Sequence, residues 1–153
     1  ETKDFIKEII SNKCYEKVFS IGSSSGGYAA ILFGNLLKFK KVIAFNPQTV
    51  LTSEKESIIM DFYYGERAAK ELRQKFINDN SIKNYLNLKN LIPFKTEVEL
   101  HFSKFSEVDK NYATFIEHKN CKLFEHEFSS HLLAYELREM GKLKNIILNS
   151  LNL

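Results

Sequence analysis

The chain reads as an α/β protein, a three-layer α/β/α sandwich on a mostly parallel sheet, and two features of its residue pattern lead there. Four short apolar runs, at residues 18–21, 42–45, 98–102 and 123–128, are separated by stretches with helical periodicity. Continuous apolar runs between helices are what a parallel sheet covered on both faces produces. The first run also ends in Gly22-Ser23-Ser24-Ser25-Gly26 and passes straight into the small residues Gly27, Ala29 and Ala30. Such a turn sends a strand directly into a helix slim enough to lie on the sheet. The alternation of strand and helix predicts right-handed crossovers.

Each element has its own signal. Phe5, Ile6, Ile9 and Ile10 recur at helical spacing with Lys and Glu between them, predicting an amphipathic helix over 2–12. Residues 18–21 predict a short buried strand, 26–37 the helix behind the turn, and 42–45 a second buried strand ended by Asn46-Pro47. Residues 48–92 differ, being rich in Lys, Asn, Glu and Tyr, with helical periodicity at 58–64 and 68–76. They predict a helical insertion or lid over the sheet end, closed by Pro93. The aromatics Phe62, Tyr63, Tyr64 and Tyr85 in it read as core rather than as a platform for sugar rings. The third strand, 98–102, alternates as though near an edge; a helix over 112–118 and a fourth strand over 123–128 follow. An amphipathic helix over 132–151 closes the chain, with Gly141 placed to split it. No repeat or low-complexity segment interrupts one domain over 1–153.

Composition removes several classes. The 153 residues suffice for a real core, and 44% hydrophobic content with 13 phenylalanines indicates a folded globular chain. A net charge of +3 is mild, and the one tight lysine group, Lys38, Lys40 and Lys41, reads as the solvated end of a helix. No basic stripe suited to nucleic acid is present. No apolar run reaches the ~18–20 residues of a membrane span. Cys14 and Cys121 lack metal or redox spacing and read as free thiols in a reducing compartment, which predicts a cytoplasmic address. The chain opens on Glu1 within a helical pattern, with no signal peptide, and reads as a piece of a longer polypeptide.

The chemistry concentrates at the glycine-serine turn. Gly22 and Gly26 flank Ser24 at two residues either side, where a Cβ is expected to collide as strand and helix pack closely; this is the spacing of a nucleophile elbow, in which the serine hydroxyl is pushed out above the sheet end. A phosphate loop would need Lys-Ser/Thr after the glycines, and the dinucleotide fingerprint has different spacing. The N–H of Ser25, at the start of the helix, is placed to donate to a developing oxyanion. A serine hydroxyl needs a base, and the base needs a group that fixes its tautomer. In an open α/β sheet the loops after strand C-termini converge, so both partners are expected after the third and fourth strands. Asp109, with Glu107 as the alternative acid, follows the third; His131 follows the fourth. His101 and His126 fall inside strands and His118 at a helix end, all structural positions. A zinc set of His118, Cys121, His126 and His131 matches no standard ligand spacing, so no metal is expected.

With these residues in place, the chain resembles the α/β-hydrolase family from Ile21-Gly22-Ser23-Ser24-Ser25-Gly26-Gly27 through Asp109 to His131. The resemblance covers the C-terminal portion of that fold, lacking its N-terminal strands. It implies acyl-ester hydrolysis or acyl transfer through an acyl-serine, with no metal or organic cofactor. Gly26-Gly27-Tyr28-Ala29-Ala30, Ala44-Phe45-Asn46-Pro47-Gln48 and the segment from His131 to Leu137-Arg138-Glu139-Met140-Gly141-Lys142-Leu143 look like small bacterial serine esterase-like proteins, some found beside surface-glycan genes. The implied substrate is a small-molecule or glycan ester, including O-acetyl groups. Only one helix precedes the elbow strand, so its outer edge requires either a missing N-terminal segment or a homodimer. A non-catalytic interaction domain of the same fold is the alternative.

Overall fold

The computed structural model describes residues 1–51 and 83–152. The helices expected at 58–64 and 68–76, with Phe62, Tyr63 and Tyr64, lie outside the described residues. The described elements are α1 (Thr2–Lys13), β1 (Phe19–Ser23), α2 (Ser25–Leu37), β2 (Lys41–Phe45), β3 (Glu97–Ser103), α3 (Glu107–Phe115), β4 (Cys121–His126), α4 (Leu133–Glu139) and α5 (Leu143–Leu151). Two 3₁₀ turns, Lys83–Tyr85 and Leu88–Leu91, precede β3. Tyr85 in the first is 38% exposed rather than core. Gly141, at φ +69°, separates α4 from α5 as its position in the sequence indicates.

All strand pairs among the described residues are parallel, in the order β1-β2-β3-β4. Two expectations fail here. The third strand is interior, not marginal: Val98, Leu100 and Phe102 are buried on one face, while Glu99, His101 and Ser103 are buried on the other. Its polar alternation reflects buried polar partners instead of solvent. Conversely β1 is, among the described residues, an edge strand with no fully buried residue, and Ile21 is 46% exposed. The amphipathic pattern of α1 does form a helix, which touches α2. None of its residues is buried, however, and Phe5 and Ile9 face outward.

Helices cover both faces. On one, Val42, Ala44, Val98, Leu100 and Phe102 pack against Tyr28, Ala30 and Ile31 of α2 and Ala113 and Ile116 at the end of α3. On the other, Ile43 and Phe45 meet Leu133 and Leu137 of α4, with Ile146 and Ile147 of α5 beside them. The period-two alternation along β2 divides its side chains between these layers. Lys41 corrects the solvated-lysine reading: it is buried in β2, with its ammonium 2.8 Å from Glu99 Oε1, 3.4 Å from Glu97 Oε1 and 2.6 Å from the Ser150 carbonyl. Burial alone would lower its pKa, but the two carboxylates prevail and raise it. This cation ties the last turn of α5 to the sheet. Cys14 and Cys121 are both free thiols, and burial pushes Cys121 up to about 12.

His101 sits between two aromatic rings, stacked on Phe45 at 4.8 Å and on Phe124 at 4.7 Å. Its Nδ1 lies 3.0 Å from His126 Nε2. Burial first, and the neighbouring His126 second, hold its pKa down at about 3. Burial also lowers His126. The folded state therefore binds fewer protons than the unfolded chain below the ordinary histidine value, so stability present at neutral pH is lost as pH falls toward 3. Between pH 8 and pH 5 the loss through this group amounts to about 2 kcal/mol. A His101→Phe variant, which keeps the ring stack, is expected to shed that share of the acid sensitivity. Urea unfolding at the two pH values measures it, and an unchanged difference would contradict this assignment.

Candidate active site

The site is built where β1 turns into α2. Gly22 carries no side chain because a Cβ there would collide with the Gly26 carbonyl and the Gly27 amide. Gly27 lies against Pro47, whose Cβ would sit 2.9 Å from an added methyl. Gly26 corrects the sequence reading: a Cβ at that position meets nothing within 4 Å. The close approach is made by Gly22 and Gly27, while Gly26 contributes its carbonyl face to the contact. Ser24 occupies the corner at φ 54° and ψ −121°, a conformation L-residues rarely adopt and one that costs on the order of 1–3 kcal/mol. Three backbone bonds hold it there: Ser24 N–H to Phe45 O at 3.0 Å, Tyr28 N–H to Ser24 O at 3.1 Å and Gln48 N–H to Ser24 O at 3.3 Å.

Ser24 is the N-cap of α2, but its hydroxyl makes no cap bond. A capping serine ordinarily accepts from the helix's own amides. Here Oγ lies 2.8 Å from His131 Nε2 instead. The first amides of α2, beginning at Ser25, have no acceptor inside the helix, and the positive end of the helix dipole lies at this terminus. Ser25 is exposed.

His131 precedes α4, on the loop that leaves β4, and is half-buried. Its Nδ1 lies 2.6 Å from Asp109 Oδ1, a short, charge-assisted contact. Asp109 stands elsewhere than expected. The helix begins at Glu107, five residues before the expected start, so the acid belongs to the first turn of α3 and not to a loop. Ser106 caps that helix, its Oγ accepting from Asp109 N–H at 3.3 Å, which frees the Asp109 carboxylate from capping. Near a helix N-terminus a carboxylate is also favoured by the dipole. The side chain is 1% exposed, and its second oxygen, Oδ2, has no hydrogen-bond partner among the described residues. The carboxylate's charge is therefore directed at the imidazole. Glu107, the alternative acid, is exposed two positions away in the same first turn.

Ser24, Asp109 and His131, which lie up to 107 positions apart, thus form one continuous chain of contacts. His101, His126 and His118 stay outside it: the first two pair within the sheet, and His118 sets its ring edge-on to Phe94. Sequence reasoning missed the Ser106 cap and the contact of Gly27 with Pro47. A Ser three residues before Asp109 was the available signal for the first. Nothing local marks the second, since its partners are 20 positions apart.

No protein-family model and no curated protein sequence matches the chain. Solved structures do. The chain aligns over 99% of its length with 69% of an α/β hydrolase enzyme from the metagenome of sediments of the lagoon of Mar Chica, Morocco, at TM-score 0.61 and 17% identity. A carboxylesterase structure from the ammonia-oxidising thaumarchaeon Nitrososphaera gargenis aligns at TM-score 0.56 and 12% identity, over 99% of this chain and 70% of that one. An α/β serine hydrolase homologue from Coxiella burnetii aligns at 0.52 and 15%, over 94% and 56%. The chain has an α/β-hydrolase-like fold, as the resemblance in its sequence implied. Among the described residues no helix is long and apolar enough to cross a membrane.

The elbow yields a paired prediction. Gly22→Ala drives a methyl into backbone that cannot retreat, and unfolding by urea is expected to show a loss of at least about 3 kcal/mol. Gly26→Ala, with open space and better helix propensity, is expected to leave stability unchanged or raise it by up to about 1 kcal/mol. Equal losses in the two variants would contradict the steric account.

Proposed function

We propose that this protein is a serine hydrolase that cleaves acyl esters through an acyl-serine intermediate. The observation that carries the reading is the imidazole of His131, bridging Ser24 Oγ at 2.8 Å and Asp109 Oδ1 at 2.6 Å. Ser24 Oγ attacks the ester carbonyl as His131 Nε2 takes its proton. Asp109 accepts the Nδ1–H, which leaves Nε2 as the basic nitrogen and offsets the charge the ring acquires. The oxyanion of the tetrahedral intermediate receives the Ser25 N–H at the start of α2. Collapse breaks the bond to the leaving alcohol, and His131 returns the proton to that oxygen. Water then repeats the sequence: His131 takes its proton, the acyl carbon is attacked, and Ser24 leaves with the proton restored. An acceptor hydroxyl in place of water turns the same steps into acyl transfer.

The substrate class in this reading is a small-molecule or glycan ester, O-acetyl groups included. Its support is twofold: the esterases among the structural neighbours, and the resemblance of short motifs to small esterase-like proteins, some found beside surface-glycan genes.

Hydrolysis of p-nitrophenyl acetate tests the assignment. Ser24→Ala is expected to abolish turnover above background. Asp109→Asn, which strands the imidazole in the wrong tautomer, is expected to lower kcat about 10³–10⁴-fold. Glu107→Gln should stay within about threefold of wild type, as an exposed side chain outside the contact chain. Full activity in Ser24→Ala, or a greater loss in Glu107→Gln than in Asp109→Asn, would overturn the reading.

A further inference from the structure

We propose that Asn46 is a positioning residue, whose carboxamide fixes the backbone at Ser130 and His131 and so sets the imidazole between Ser24 and Asp109. The inference rests on the reading of His131 as the base. Asn46 ends β2 at φ 41°, in the left-handed region that Asn tolerates better than most residues, and is fully buried. Its backbone N–H donates to His101 O at 2.8 Å, continuing the pairing with β3. Beyond that point the side chain takes over. Oδ1 accepts from Ser103 N–H at 2.9 Å. Nδ2 donates to His131 O at 3.0 Å and to Ser103 Oγ at 3.0 Å, with Ser130 O at 3.2 Å. Ser103 Oγ in turn donates to Ser130 O at 2.6 Å.

This network admits one orientation of the amide. Turned over, it would aim an oxygen at two carbonyls and its NH₂ at the Ser103 N–H. The consecutive carbonyls of Ser130 and His131 are thereby anchored to the ends of β2 and β3, next to the residue whose ring must meet two partners. The same short segment holds the nucleophile. Phe45 O accepts from Ser24 N–H, Gln48 N–H donates to Ser24 O, and Pro47 lies against Gly27. Residues 45–48 therefore grip the elbow through backbone and the base loop through the Asn46 side chain. The separation of Ser24 Oγ from His131 Nε2 is set by this one rigid bracket. Displacements of about 1 Å at a reacting pair cost about 10²-fold in rate.

Asn46→Asp tests the bracket, because it keeps the volume, the tolerance of positive φ and the acceptor for Ser103 while removing both donors. The probes are a fluorophosphonate, p-nitrophenyl acetate and the downfield proton resonance of the His131 Nδ1–H shared with Asp109. The variant is expected to react with the fluorophosphonate about 10²-fold more slowly than wild type, to lose kcat with KM within about threefold, and to lose or broaden the downfield signal. Ser103→Ala, which removes the hydroxyl's bond to the Ser130 carbonyl and spares the Asn46 bonds to Ser130 and His131, is expected to slow the reaction about 10-fold. Wild-type rates with an intact signal in Asn46→Asp overturn the proposal, and so does a wild-type spectrum lacking that signal. If Asn46→Asp does not fold, Ser103→Ala decides on the same terms. If wild type itself fails to react with the probe, the catalytic reading falls, and the loss or survival of the signal in Asn46→Asp still decides the positioning claim.

Discussion

A strand that reverses into a helix within a few residues brings two backbones closer than any side chain allows, and the site depends on that approach. Gly22 against Gly26, and Gly27 against Pro47, let α2 begin directly over the end of the sheet. Ser24 is held at a strained corner as a result, and its hydroxyl is denied the capping bond a serine there would ordinarily make. The strain and the lost cap are offset by the core behind the turn, where Ile31 packs against the sheet with Tyr28 and Ala30. The rigid layer underneath permits one residue to sit in a conformation it would not choose.

The other two members of the contact chain are positioned by the same logic of burial and compensation. A carboxylate as buried as Asp109 is costly unless something nearby carries positive charge or donates to it. The first turn of α3 and the ring of His131 supply that compensation. His131 itself owes its place to its backbone neighbours, fastened to the ends of β2 and β3. Around this arrangement the second face of the sheet is unusually polar for an interior layer. Lys41, Glu99 and His101 are all buried there, each engaged by a neighbour across the strands or by the end of α5.

The parts of this architecture that rest on local pattern could be read from the chain. Period-two and continuous apolar runs marked the strands, and the glycine spacing around Ser24 marked the turn. The order serine, acid, histidine along the chain pointed to the loops that meet it. What escaped depends on pairing between distant residues. The alternation of β3 suggested an edge because polar residues in a strand usually face water. Here Glu99 faces Lys41 and His101 stacks between Phe45 and Phe124. Lys41 looked like part of a solvated lysine group for the same reason. The start of α3 was missed because its first turn carries charge and little apolar periodicity, which placed Asp109 in a loop. The role of Gly26 was overstated, since spacing shows where a glycine stands but not what its Cβ would meet.

Of the three consecutive serines Ser23, Ser24 and Ser25, Ser24 sets its hydroxyl 2.8 Å from His131 Nε2, and the proposed chemistry requires it to be the one that reacts. Mapping a fluorophosphonate adduct on the intact protein by peptide mass spectrometry addresses this without knowledge of the substrate. One phosphonyl group per chain, carried by Ser24, is the predicted result. An adduct on Ser23 or Ser25, or none at all from folded protein, would contradict the account.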